Sequence, residues 1–151
     1  MYQALNLPQF EIKTRLHQGQ QQVFDIIRKK YVALTPEEWV RQHFLNYLAV
    51  YRGYPLGLIN VEFPVLVSGV QQRADIIAYS RDGLPLLVVE CKAPMVKLNS
   101  DTFSQAARYN LMLKAQYLVV TNGIKHYCSK VDLQRSSFEA LPEVPMFQQI
   151  G

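Results

Sequence analysis

The chain has few of the residues that mark the commoner functional sites. Only two cysteines occur in 151 residues, Cys91 and Cys128, and their separation matches no metal or redox spacing. His17, His43 and His126 are scattered without ligand spacing, so they read as surface or packing residues and no zinc site is expected. No uninterrupted apolar run approaches membrane-spanning length, and the opening MYQALNLPQF carries neither a basic nor an apolar leader region. The expected location is therefore cytoplasmic, with no membrane partner. Low-complexity tracts and internal repeats are also missing, which removes the fibrous and solenoid classes.

What is present is an ordinary globular composition of one domain's length. The reading is a single domain over 1–151, with N-terminal strands in 1–34, a core in 35–130 and a loosely packed tail in 131–151. Sixteen Lys and Arg against twelve Asp and Glu give a net charge of +4, which leans toward an acidic partner such as nucleic acid.

The stretch that organises the rest is Arg73 to Lys92, RADIIAYSRDGLPLLVVECK. Two apolar runs flank Asp82-Gly83, a strong signal for a two-residue hairpin turn. With residues 82 and 83 as the loop, Tyr79 faces Leu86, Ile77 faces Val88 and Asp75 faces Glu90. Directly opposed carboxylates are destabilising unless something offsets them. Leu86, Val88, Glu90 and Lys92 share one face, and Leu87, Val89, Cys91 and Ala93 the other. Apolar residues on both faces predict a central strand covered on both sides, where a lone charge is costly. A hard divalent cation between Asp75 and Glu90, Mg²⁺ or Mn²⁺, would offset the repulsion. The alternative is an ion cluster in which Lys92 alone neutralises one carboxylate.

Around this hairpin the pattern predicts strands in FEIKTRL, QQVFDII and YVALT, with Arg28-Lys29-Lys30 as a solvated basic turn. Thr35-Pro36-Glu37-Glu38 predicts a helix to about Tyr51 or Arg52, with Thr35 as cap and Glu38 completing a capping box. Its apolar face is Val40, Phe44, Leu48 and Tyr51. Glu37 falls on that face, either as an i,i+4 partner of Arg41 or as a third acid aimed at the sheet. Glu38, explained by the cap, is expected to tolerate change to Gln. A strand over Leu58 to Val67 places Val61, Phe63, Val65 and Val67 together. A second helix from about Thr102 to Lys114, capped by Ser100 or Asp101, carries Gln105, Arg108, Tyr109 and Met112 in one stripe. Tyr117 to Thr121 forms another strand, followed by a second hairpin signal at Asn122-Gly123.

Asp75, fourteen residues, then Glu90-Cys91-Lys92 resembles the PD-(D/E)xK nuclease superfamily. With Arg73-Ala74-Asp75-Ile76-Ile77, Val89-Glu90-Cys91-Lys92-Ala93-Pro94, Gln105-x-x-x-Tyr109 and Val120-Thr121-Asn122-Gly123, the chain is similar over roughly 35–130 to the N-terminal nuclease domain of type I restriction enzyme R subunits. Ala74 stands where the superfamily name has Pro, and no helicase motor follows, so the resemblance predicts a stand-alone domain. It implies an α/β (α+β) restriction-endonuclease-like fold, a mixed central sheet flanked by helices, with an N-terminal β-hairpin extension. It also implies metal-dependent cleavage of DNA. Asp75, Glu90 and the Cys91 carbonyl would bind Mg²⁺ or Mn²⁺, and Lys92 would position or activate the attacking water. Gln105 would support catalysis, and Tyr109, Arg108 and Arg73 would contact DNA. R subunits also carry a Glu four residues before an Arg on the first helix, as Glu37 precedes Arg41, which would bring Glu37 to the metal's surroundings. Further partners would be a second copy or other restriction or repair subunits, with no small-molecule cofactor. Action on RNA, or a non-catalytic nucleic-acid-binding or assembly module of the same fold, are the alternatives.

Overall fold

The computed structural model describes residues 2–67 and 69–151, except for the side chains of Val65, Val67 and Tyr109. The N-terminal segment forms a separate antiparallel sheet of β1 (Thr14–His17), β2 (Gln20–Asp25) and β3 (Lys30–Ala33), in that order. Gln18 and Gly19 turn between β1 and β2 with φ of 51° and 78°, the doubly left-handed pattern of a tight hairpin.

Helix α1 (Pro36–Asn46) starts as the sequence predicts, with Thr35 Oγ1 accepting from the Glu38 amide at 3.0 Å and Pro36 in the first turn. Past Asn46 the α-helix gives way to a π-turn over Tyr47–Tyr51, in which the Arg52 amide donates to the Tyr47 carbonyl at 3.1 Å. Val40, Phe44 and Leu48 are buried as expected, but Tyr51 is 50% exposed. The wider turn rotates it off the apolar face.

The main sheet has the order β4-β5-β6-β7-β8-β9: β4 (Ile59–Val67), β5 (Val70–Tyr79), β6 (Pro85–Cys91), β7 (Tyr117–Thr121), β8 (His126–Asp132) and β9 (Ser137–Leu141). All neighbours are antiparallel except β6 and β7, a parallel pair joined by α2 (Ser100–Leu113). Helix α2 is capped by Asn99 rather than by Ser100 or Asp101. On one side of the sheet Ile76, Ala78, Leu87, Val89 and Val119 pack with Val40 and Phe44 of α1 and Leu48 of the π-turn. On the other, Ile77, Val88, Leu118 and Val120 pack with Ala106 of α2. Strand β6 is thus the doubly covered strand that its sequence predicts.

The hairpin between β5 and β6 departs from a two-residue turn in two ways. Ser80 to Gly83 closes a β-turn (Gly83 amide to Ser80 carbonyl, 2.9 Å), the Ser80 amide donates to the Leu84 carbonyl at 2.9 Å, and Gly83 alone has positive φ, 81°. This is the three-residue loop with a left-handed final glycine, and it pairs Tyr79 with Pro85 rather than Leu86. A bulge between Ala78 and Tyr79 then takes up one residue, so Ala78, Ile77 and Ile76 face Leu87, Val88 and Val89. The two one-residue departures cancel, and the register beyond the bulge is the expected one. Leu86 pays the difference: it joins the α1-side core instead of following Val88.

Strand β4 is interrupted where Glu62 adopts φ 54°. Val61 therefore packs with the α1-side core and Phe63 with the α2-side core, against the expectation that they share a face; the side chains of Val65 and Val67 lie outside the described residues. The tail is not loose. β9 extends the main sheet, Val144 and Phe147 are buried, and Phe147 meets Tyr54 edge-on at 5.4 Å. Short α3 (Phe147–Ile150) closes the chain against this core.

Asn122-Gly123 is not a two-residue hairpin either. The Asn122 side chain accepts from the Ile124 and Lys125 amides at 2.9 and 2.8 Å, capping a four-residue loop between Thr121 and His126. Gly123 has φ 85°, and a Cβ there would come 2.8 Å from Leu5 Cδ2. Gly123→Ala is expected to cost about 1–2 kcal/mol through the left-handed backbone and that contact. A thermal melt unchanged from the parent would refute this.

Candidate active site

The ends of β5 and β6 bring the charged residues of the central hairpin together. One step beyond the Ile76 and Val89 pair, the register sets Asp75 opposite Glu90, and both residues are buried, at 7% and 8% exposure. Asp75 Oδ2 accepts from the Cys91 amide at 2.8 Å. Glu90 Oε1 lies 3.3 Å from Lys92 Nζ, whereas Glu90 Oε2 is buried with no hydrogen-bond partner. Burial first, then the Asp75 charge, pushes the Glu90 carboxyl up to about 8, with Lys92 opposing. Asp75 is also raised by burial, while Arg41 and the Cys91 amide pull it back.

Arg41 is the residue that sequence reasoning left outside the site. Its guanidinium reaches Asp75 Oδ1 at 2.9 Å, Glu38 Oε1 at 2.8 Å, Glu62 Oε1 at 2.8 Å and Glu37 Oε1 at 3.4 Å. The neighbouring carboxylates hold it charged despite burial. Glu62 sits between the Val61–Ile76 and Phe63–Ala74 pairs, abreast of Asp75. Its left-handed backbone is of the kind found where surroundings over-determine a residue. One signal was available for it: an acid inside the otherwise apolar VEFPV.

Glu38 does not complete a capping box. Its carboxylate is turned inward, accepting from Arg28 Nη2 at 2.9 Å, Arg41 Nη1 at 2.8 Å and Gln42 Nε2 at 3.0 Å. Nor is the basic turn simply solvated, since Arg28 also pairs with the buried Asp25 at 2.7 Å. A continuous polar chain therefore runs from Asp25 through Arg28, Glu38 and Arg41 to Asp75.

Glu37 makes its i,i+4 contact with Arg41, and its side chain is 47% exposed. Its carboxyl is raised by burial and by the Asp75 charge, and lowered by Arg41 and Lys92, which sets it at the rim of the cluster. Arg73 is exposed and pairs with Glu62 at 3.2 Å. Gln105 and Arg108 lie exposed on α2, without a hydrogen bond to Asp75, Glu90 or Lys92 among the described residues; the Tyr109 side chain lies outside them.

Among the described residues no three His, Cys, Asp or Glu side chains gather as a cation cage. One buried donor there is left without a partner, Glu90 Oε2, beside an Asp75 carboxylate whose two oxygens accept from Arg41 and the Cys91 amide; hard oxygen donors of this kind suit a cation that keeps most of its water. No helix among the described residues is long and apolar enough to cross a membrane.

No curated protein matches the chain. One solved structure that does match is a fragment of a chain described as an HsdR subunit of a type I restriction enzyme from Vibrio vulnificus YJ016. The likeness has a TM-score of 0.57 at 21% identity, covering 78% of this chain and 24% of that one. This chain thus spans about a quarter of the length of that protein, and the likeness speaks to the fold. The family model described as type I restriction enzyme R protein N terminus matches residues 36–145, from the start of α1 to beyond β9. With that much of its length matched, the chain belongs to the type I restriction enzyme R protein N-terminal family.

Proposed function

We propose that this domain hydrolyses phosphodiester bonds in DNA with a divalent cation, working beside other subunits of a restriction system. The observation that carries the reading is Glu90: a buried carboxyl pushed up to about 8 beside Asp75, with one oxygen left unpartnered. Such a group is expensive in a fold that makes no use of it. Asp75, Glu90 and the Cys91 carbonyl would hold Mg²⁺ or Mn²⁺, which when bound supplies Lewis-acid polarisation and charge neutralisation. Arg41, bonded to Asp75 Oδ1 at 2.9 Å, fixes how that carboxylate is presented. The Lys92 pKa is raised by Glu90 against the effect of burial, so its ammonium stays protonated and acts by orienting water and binding a phosphate oxygen. Glu37, at the rim, would order the surrounding water.

Supercoiled, linear and single-stranded DNA incubated with Mg²⁺, Mn²⁺ or EDTA tests the reading. Cleavage that needs the metal, and is lost in Lys92→Ala, supports it; DNA binding with no cleavage in any metal overturns it. Glu37→Gln is expected to slow Mg²⁺-supported cleavage about 10–100-fold with an unchanged melt, and equal rates would return Glu37 to a plain partner of Arg41. A non-catalytic binding module is the second reading, favoured by the hold of Arg41 on Asp75, and that binding-only outcome is its signature.

A further inference from the structure

The outward face of the β1–β3 sheet lies outside the matched family region of 36–145 and carries a pattern of its own. Pairings of Arg15 with Gln22 and of Phe24 with Tyr31 put these side chains on one face, and the extended Lys13 lies beside Phe24. Lys13 Nζ stands 5.1 Å from the Phe24 ring centre, and the Arg15 guanidinium 3.9 Å from that of Tyr31. The two rings meet edge to face at 5.3 Å. Gln20 and His17, at the hairpin end, continue the same face. The one acid within the three strands, Asp25, points the other way and is fully buried against Arg28 and Gln42; Glu11, two residues before Lys13, is exposed. Among the described residues Lys13 and Arg15 form no ion pair, Arg15 Nε donating to Gln22 Oε1 at 2.7 Å; the opposite face, with Val23 and Asp25 buried, is the one turned toward Gln42 of α1.

We propose that this face binds single-stranded nucleic acid, Lys13 and the edge of Arg15 meeting phosphates while bases stack on the outer plane of the Arg15 guanidinium, which Tyr31 supports from beneath, and beside Phe24. Alternating cations and rings on an open sheet meet both needs of a single strand, a charged track and aromatic platforms. A duplex keeps its bases stacked and would use only the charges. Side chains two apart on one face stand about 7 Å apart along a strand, so the two cations can engage successive points of an extended chain. The face is also held in register with the carboxylates, because Asp25 on its underside begins the polar chain that ends at Asp75. The proposal rests on the nuclease reading only in preferring nucleic acid to another polyanion.

The test is fluorescence anisotropy in EDTA, where no cleavage occurs, with a labelled mixed-sequence 20-mer, its duplex, and poly-glutamate as competitor. Lys13→Glu/Arg15→Glu should weaken single-strand binding at least about 30-fold and flatten its salt dependence. Tyr31→Leu should weaken it about 5–10-fold with the salt dependence kept. Both sites are on the surface of the sheet, and an unchanged melt would show that the fold is kept. Single-strand affinity unaffected by these changes overturns the proposal, as does tighter duplex binding indifferent to Tyr31→Leu, or displacement by poly-glutamate as effective as by unlabelled strand. Failure of the nuclease reading looks different: binding intact in EDTA, and no cleavage when metal is restored.

Discussion

Glu90→Gln is expected to abolish DNA cleavage while making the metal-free protein more stable at alkaline pH. The loss should be on the order of 10³-fold or more, since a carboxylate that helps to hold the cation supports several kcal/mol of transition-state stabilisation. The stability gain comes from the pKa. In the unfolded chain a glutamate is deprotonated above its ordinary 4.5, whereas in the fold Glu90 keeps its proton to about 8. Between those values the folded state binds more protons than the unfolded one, so stability falls as pH rises from about 5 to about 8. Asp75 and Glu37, also raised, add to that slope; Asp25 and Glu62 are lowered and act only in acid. Gln at position 90 cannot ionise and removes the largest part of the slope. At pH 9 in EDTA, Glu90→Gln should melt about 5–10 °C above the parent, corresponding to roughly 2–3 kcal/mol, and at pH 5 the two should nearly coincide. A variant that melts lower at pH 9 would mean that ionised Glu90 is held by Lys92 as a structural ion pair.

The hairpin shows how sequence can set two carboxylates opposite each other while misreading the turn beside them. Asp-Gly marks a reversal, but loops of two and three residues carry the same signal, and the compensating bulge at Ala78 has no signature of its own. Asp75 and Glu90 came out opposed because the apolar alternation constrains register independently of the turn. Alternation could equally show that β6 is central, and cap chemistry could show where α1 begins. Other features depend on distant partners. The π-turn at Tyr47–Tyr51 follows no local pattern, and the tail looked unpatterned because Val144 and Phe147 are isolated anchors rather than a periodic face. Arg41 reads only as an i,i+4 partner of Glu37 because a helical wheel records directions on one helix. It does not record that Glu62 and Asp75 arrive from β4 and β5.

Glu38→Ala is expected to destabilise the protein by about 3–5 kcal/mol, the usual consequence of removing one partner from a buried ion network. As a capping residue, which is what the sequence alone supports, Glu38 would be nearly dispensable. In the structure its side chain is 7% exposed; Oε1 takes both Arg28 and Arg41, and Oε2 takes Gln42. Without it Arg28 keeps only Asp25, while Arg41, 4% exposed, keeps Asp75, Glu62 and the longer contact to Glu37. The polar chain between the N-terminal sheet and Asp75 is then cut at its middle. For a chain of this length the melting temperature should fall by roughly 10 °C, out of a total stability on the order of 5–15 kcal/mol. Glu38→Gln keeps one acceptor but presents an amide N–H to a site crowded with donors, so about half that loss is expected. Pairing Glu38→Ala with Arg28→Ala should recover part of it, with a coupling energy on the order of 1–3 kcal/mol. Strict additivity of the two changes, or a melt within a degree of the parent for Glu38→Ala, would return Glu38 to the cap and leave Arg41 to hold Asp75 without it.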